Sequence, residues 1–197
     1  MHYLQEILGI IQRDRGLGFR ELPNGTQLIG RVPHVAPNAW LHELFPPISD
    51  TRIDGVQSEI GMLIPEAFRD FLSLGNGIRL FSGSVSIYGV RENYERGEDA
   101  VWQPFDLVAP NTVERLRDAK NSYLFVGGYP EGRGSYLYIS NDDQKVYRCS
   151  RQSCEPLNRW ESFPQMLLTE ARRLATLFDR NGRRLDSSKA VTPQRDL

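Results

Sequence analysis

Hydrophobic residues recur about every three to four positions in several stretches of the chain, a spacing that predicts helices with one buried face. The clearest stretch covers residues 66–74, where Phe68, Phe71 and Leu72 share one side. Pro65 suits the first turn, because the missing N–H would have no helical partner there. The run Gly75–Gly77 ends the helix, since glycine and asparagine tolerate a left-handed conformation. The same reasoning predicts helices at 1–15, 50–60, 112–119 and 161–178, and one or two helical turns at 39–45.

Alternating apolar residues predict strands in the intervening stretches. These strands lie at 19–22, 27–32, 85–88, 122–127, 135–140 and 145–149. Asn24-Gly25 is typical of a tight hairpin turn, and residues 128–134 and 141–144 form later turns. Because short turns join antiparallel neighbours, the chain is predicted to be α+β. We expect a single domain with a mixed, mostly antiparallel sheet and flanking N- and C-terminal helices.

The net charge of −1 hides an uneven distribution along the chain. Residues 1–170 carry 22 acidic and 17 basic side chains, whereas residues 171–197 carry 3 acidic and 7 basic ones. An acidic body disfavours nucleic acid, whose phosphates need a basic surface, and favours a basic protein partner. The alternative interpretation is an acidic surface that only maintains solubility. Because the sequence has no signal-peptide pattern and no long apolar run, we expect a cytoplasmic protein without membrane contact.

No combination of residues predicts catalysis, a metal site or a cofactor site. Residues 127–134 are rich in glycine but precede a strand, whereas a phosphate-binding loop precedes a helix and ends in Lys-Ser/Thr. His34 and His42 lack the serine and acid of a known triad pattern. We expect Cys149 and Cys154 to be structural thiols, because a reducing compartment disfavours a disulfide and no further metal ligands lie beside them.

A set of residues in the middle of the chain matches the pattern of a known family. Leucine, proline, an aromatic residue, Phe-Leu and Asn-Gly follow in order, and a glycine-rich turn and a Ser-Phe helix start come later. The matching residues are Leu63, Pro65, Phe68, Phe71, Leu72, Asn76, Gly77, Gly128, Gly134 and Phe163. Over Ile48–Phe178 the chain resembles the SUKH superfamily of Smi/Knr-type proteins. Ile64 departs from the pattern, because it separates Leu63 from Pro65.

The resemblance places a SUKH-like domain at 48–178. Residues 1–47 are then an N-terminal helix and irregular arm packed on this domain, and the polar residues 179–197 predict a mobile tail. The resemblance also implies a non-catalytic protein-binding module, an immunity protein that neutralises a bacterial toxin by occlusion. Similar fungal proteins are linked to cell-wall regulation. A regulatory or scaffold protein without a toxin is therefore one alternative, and a hydrolase with an unrecognised site is another.

Two polar segments are the predicted contact surface for a toxin domain, because binding residues concentrate in loops. They are the Arg91–Asp99 loop and the Gly128–Gly134 turn. The predicted charged contacts are Glu92, Glu95, Glu98, Asp99 and Glu131, and the predicted aromatic anchors are Tyr94 and Tyr129.

Overall fold

The strands of the computed structural model, which describes residues 2–92 and 101–196, form one nine-stranded sheet in chain order. Each strand pairs antiparallel with the next, and an isolated parallel bridge joins Gly89 to Asp106. The strands are β1 (Phe19–Glu21), β2 (Gln27–Arg31), β3 (Trp40–Leu44), β4 (Ile78–Leu80), β5 (Val85–Ile87), β6 (Tyr123–Tyr129), β7 (Ser135–Ser140), β8 (Val146–Ser150) and β9 (Pro156–Trp160).

Four α-helices accompany the sheet in the described part of the chain: α1 (His2–Gln12), α2 (Asp50–Ile60), α3 (Glu66–Leu74) and α4 (Phe163–Ala175). Ser49 and Ser162 cap α2 and α4, each accepting a hydrogen bond from a first-turn backbone N–H at 3.3 Å. The ring of Phe163 lies 5.1 Å from Phe68 and 5.3 Å from Phe71, so α3 and α4 meet in the core. None of the helices within 2–92 and 101–196 is long and apolar enough to cross a membrane.

This architecture confirms the predicted α+β fold with its mostly antiparallel sheet and terminal helices. The predicted hairpin around Asn24-Gly25 is also confirmed, with β1 and β2 on either side of it. The N-terminal arm packs closely on the rest of the molecule, because β3 pairs with β4 and so joins the first three strands to the same sheet.

Two predicted helical segments are wrong. Residues 39–45 form β3 instead, because pairing with β2 on one side and β4 on the other outweighs their local helical spacing. Residues 112–119 are turns, although Asn111 precedes them in a capping pattern. The Asn111 side chain bonds elsewhere: its Nδ2 donates to the Leu107 and Phe125 carbonyls and its Oδ1 accepts from the Phe125 N–H, all at 2.8 Å.

Asn76 makes a similar pair of buried hydrogen bonds to the backbone of Val90. Its Nδ2 donates to the Val90 carbonyl at 2.7 Å, and its Oδ1 accepts from the Val90 N–H at 2.6 Å. Gly89 has no room for a side chain, because a Cβ there would lie 2.3 Å from the Asn76 carbonyl. The turn after α3 differs from the predicted left-handed end of the helix. Gly75 is extended, and Gly77 has the positive φ of +89°.

Within residues 179–196, the predicted mobile tail, Gly182 and Val191 are buried. Val191 is buried, and its carbonyl accepts a hydrogen bond from the Arg173 guanidinium on α4. The Pro193 carbonyl accepts from the buried Arg148 at 3.1 Å. Buried guanidinium groups need acceptors, and the polar segment supplies them from its backbone, which composition alone does not reveal.

A buried polar network links β6 to α4 beneath this segment. The Tyr129 hydroxyl donates to the Glu170 carboxylate at 2.8 Å, and Arg173 forms an ion pair with the same carboxylate at 2.7 Å. Burial, together with the neighbouring Glu170 charge, raises the pKa of Tyr129 well above its usual value. The hydroxyl therefore stays protonated and remains a donor.

We expect Asn76→Ala to lower the free energy of unfolding by about 2–4 kcal/mol, because the buried amide and carbonyl of Val90 lose both partners. Urea denaturation followed by circular dichroism measures the change. Asn121→Ala, at an exposed position, is the matched control and should change stability by less than about 0.5 kcal/mol. Equal stability of the two variants would contradict this account of the Asn76 hydrogen bonds.

We expect Tyr129→Phe to cost about 1.5–3 kcal/mol, because it removes a buried hydrogen bond to a charged acceptor. Tyr147→Phe is the matched control, since its hydroxyl bonds to the exposed carboxylate of Asp143. That variant should lose less than about 1 kcal/mol in the same urea titration. A larger loss for Tyr147→Phe than for Tyr129→Phe would show that the Tyr129 network does not have the stabilising effect argued here.

Candidate functional site

A cleft of about 340 Å³ lies between residues 105–114 and the strands β5, β6 and β7. We call it the Tyr88 cleft. Ser86, Tyr88, Gly128 and Tyr136 line it from the strands and their ends. Phe105, Asp106 and Glu114 line it from residues 105–114, and Arg91, Pro130 and Arg151 complete its rim. The cleft therefore combines an aromatic floor with charged groups of both signs.

The floor of the Tyr88 cleft is rigid because its backbone is closely packed. Ser86 pairs with Gly128 between β5 and β6, and a Cβ on Gly128 would lie 2.3 Å from the Ser135 carbonyl. The same Cβ would lie 3.3 Å from the Tyr88 hydroxyl. Burial raises the pKa of Tyr88 far above its usual value, so this hydroxyl presents a proton at neutral pH.

The rim carries aromatic and arginine side chains in contact with each other. The Phe105 ring is 51% exposed, meets Tyr88 edge-to-face at 6.4 Å and lies 4.3 Å from the Arg79 guanidinium. The Arg151 guanidinium lies 4.6 Å from the Tyr136 ring and donates to its hydroxyl at 3.3 Å. Aromatic and arginine residues held in this way are typical anchors of protein interfaces.

Both predicted contact segments reach the Tyr88 cleft, although they leave the sheet at opposite ends. Because β5 and β6 are antiparallel, the chain continues toward residue 91 at one end and toward residue 130 at the other. Arg91 and Pro130 nevertheless both line the cleft. Glu92 is exposed beside it and lies 3.5 Å from the Arg52 guanidinium. The predicted residues Tyr94, Glu95, Glu98 and Asp99 lie outside the described residues.

The two predicted contacts on the Gly128–Gly134 turn have structural partners. Tyr129 is fully buried against α4, so the prediction of an exposed aromatic anchor at this position is wrong. Strand alternation after the irregularity in β6 turns this side chain inward. Glu131 is half-buried, accepts the Thr192 N–H at 2.9 Å and lies 3.5 Å from Arg184, so it holds the C-terminal segment.

The residues that carried the family resemblance form the core and its tight turns. Most of them, namely Pro65, Phe68, Phe71, Leu72, Asn76, Gly77, Gly128 and Phe163, are buried. Leu63 differs, because it is 63% exposed while Ile64 is only 2% exposed. Ile64 therefore supplies the apolar contact expected of Leu63. Gly134 has a φ of +71°, which suits the turn before β7.

Sequence reasoning missed Tyr88, Phe105, Tyr136 and Arg151 as members of one site. Tyr88 and Tyr136 were predicted only as strand residues, and the four residues are separated by long stretches of chain. The sequence around Phe105, between Pro104 and Asp106, has no pattern that predicts its contact with Tyr88. The Gly89–Asp106 bridge, which sequence does not reveal, brings it to Tyr88.

His42, Cys149 and Cys154 are buried and do not line this cleft. His42 is fully buried on β3, with its Nε2 2.8 Å from the Asp14 carboxylate, and burial lowers its pKa despite the opposing effect of Asp14. Cys149 and Cys154 are buried free thiols, and burial raises the pKa of Cys154 to about 12. No group of three or more histidine, cysteine, aspartate or glutamate side chains is placed to hold a metal ion in the described ranges.

Comparison with known proteins identifies the family. No curated protein matches the chain significantly. The family model described as the SMI1 / KNR4 family (SUKH-1) matches residues 47–169, more than half of the chain. That span contains α2, α3, most of α4, β4–β9 and the whole lining of the Tyr88 cleft. The chain therefore belongs to the SMI1 / KNR4 family (SUKH-1).

Proposed function

We propose that this chain is a non-catalytic immunity protein of the cytoplasm, which binds a toxin domain through the Tyr88 cleft and the adjoining residues 91–99. The observation that carries the proposal is the aromatic and arginine rim of the cleft, which lies within the family-matched span. A rigid floor below a half-exposed Phe105 needs little reorganisation before it binds a partner.

Neutralisation by this surface is occlusion. A partner segment that covers the cleft buries the Phe105 ring and places its own polar groups against Arg91, Arg151 and the Tyr88 hydroxyl. A specific complex of this kind buries roughly 1,600 Å² in total, so protein surface beyond the cleft must also take part. The acidic residues of 91–99 favour a basic toxin surface, whose own active site is then covered.

Gene neighbourhood and a substrate panel separate this proposal from its alternatives. A toxin gene beside the gene for this chain supports immunity, whereas its absence favours a regulatory or scaffold protein. Turnover by the purified chain that is lost on changing one histidine or carboxylate would favour a hydrolase. The buried His42–Asp14 pair is the residue pair to change first, because its separation of 2.8 Å is the closest His–carboxylate contact described.

We expect Phe105→Ala to weaken binding of the neighbouring toxin domain by about 1–3 kcal/mol, because it removes the exposed aromatic anchor. Isothermal titration calorimetry measures the loss. Val113→Ala is the control, since Val113 is 89% exposed and lies outside the cleft lining. A loss that is equal in both variants would remove the Tyr88 cleft from the interface.

We expect the triple reversal Glu95→Lys, Glu98→Lys and Asp99→Lys to slow association with a basic toxin domain about tenfold or more, without unfolding the protein. Surface plasmon resonance measures the association rate at two salt concentrations. Its salt dependence separates the electrostatic effect on this rate from a loss of protein stability. The matched control reverses Glu59, Asp70 and Glu155, which are exposed and give the same change of net charge. Unchanged association of the first variant would exclude this loop.

A further inference from the structure

The two edges of the sheet differ in how they are covered. At β9, the Asp196 N–H donates to the Leu157 carbonyl at 3.1 Å, so the C-terminal segment shields this edge. At β1, no other backbone segment within residues 2–92 and 101–196 pairs with the outer side of the strand. An exposed edge can accept a further strand, and proteins usually protect such edges.

The hydrogen bonds between β1 and β2 fix which groups of β1 face outward. The Gly30 N–H donates to the Gly18 carbonyl, and the Leu22 N–H donates to the Thr26 carbonyl, both at 2.9 Å. Backbone groups of successive residues alternate between the partner and the opposite side. The N–H and carbonyl groups of Phe19 and Glu21 therefore point away from β2, and no backbone group within residues 2–92 and 101–196 bonds to them.

A broad groove lies along the same edge. It has a volume of about 1260 Å³, and its aromatic lining residues are Phe19, Trp40 and Trp102. Trp102 is held in place, because its carbonyl accepts hydrogen bonds from the Asn24 and Thr26 side chains at 3.2 Å. Val101, which is 65% exposed, continues this apolar wall. An added strand would thus find apolar surface for its side chains as well as backbone partners.

The charge of the groove specifies the kind of strand. Its charged lining residues are Arg20 and Arg31, and both are exposed. Neither guanidinium forms an ion pair within 2–92 and 101–196. A second copy of this chain fits poorly, because the symmetric antiparallel pairing of two β1 edges through Phe19 and Glu21 would place Arg20 opposite Arg20. An acidic segment would instead supply carboxylates to both guanidinium groups.

We propose that β1 is a docking edge for an extended segment of a partner protein, in which acidic residues alternate with apolar ones. The segment adds to the sheet through the backbone of Phe19 and Glu21, places carboxylates against Arg20 and Arg31, and packs apolar side chains on Trp40 and Trp102. This surface goes beyond the proposed immunity function, since β1 and most of the groove precede the family-matched residues 47–169.

Panning a displayed library of random twelve-residue peptides on the full chain tests this proposal. Glu21→Pro removes one backbone donor, the outward N–H, and leaves the β1–β2 hydrogen bonds intact, so it is the counter-selection target. Glu21→Gln is the matched control, because it removes the same charge but keeps the donor. We expect enriched peptides that alternate Asp or Glu with apolar residues, bind Glu21→Gln normally, and bind Glu21→Pro about tenfold more weakly or worse.

The double reversal Arg20→Glu and Arg31→Glu should weaken the same peptides about tenfold or more, because it removes both counter-charges. Urea denaturation confirms that each variant is folded. Failure to enrich peptides that distinguish Glu21→Pro from Glu21→Gln would overturn the proposal. Tighter binding of a single-stranded oligonucleotide than of the peptides, or a dimer that Glu21→Pro dissociates, would overturn it in favour of another occupant. Toxin binding through the Tyr88 cleft should be unchanged in all three variants.

Discussion

The paired hydrogen bonds between Asn76 and Val90 are the constraint on which the candidate site depends. They tie the end of α3 to the chain that follows β5. The neighbouring Gly89 then donates its N–H to the Phe105 carbonyl and accepts the Leu107 N–H, at 2.9 and 2.8 Å. The hydrogen bonds of Asn76 with Val90, and of Gly89 with Phe105 and Leu107, therefore connect the end of α3 to the rim of the Tyr88 cleft. The Asn-Gly pair of the family pattern has a physical reason here, because no aliphatic side chain can satisfy both groups of Val90.

The Tyr88 cleft has a rigid floor and an exposed rim. Its floor consists of paired strands with no space beside Gly128, whereas its rim presents a phenylalanine ring and guanidinium groups. Such an arrangement suits binding by complementary shape and charge. His42, Cys149 and Cys154 are buried and do not line the cleft, and His42 meets Phe81 edge-to-face at 4.7 Å. The chemistry of the cleft and the family of the chain thus favour the same kind of function.

Local patterns in the sequence predict the elements that local physics decides. The amphipathic spacing of α3 and α4 and the Asn24-Gly25 turn are examples, and all three are present. Sequence reasoning failed where distant partners decide the outcome. Trp40–Leu44 becomes a strand because it has neighbours on both sides, and Asn111 bonds to Phe125 instead of capping a helix. The cleft could not be predicted either, since a bridge between Gly89 and Asp106 assembles it.

Hydrogen–deuterium exchange of the full chain, with and without the proposed toxin partner, tests the central claim most directly. If the Tyr88 cleft is the binding surface, amides in residues 86–92, 105–114 and 128–136 exchange more slowly in the complex. Amides in α1 and β9, which do not line the cleft, keep their rates. A complex that forms while the exchange of those three segments stays unchanged would contradict the account.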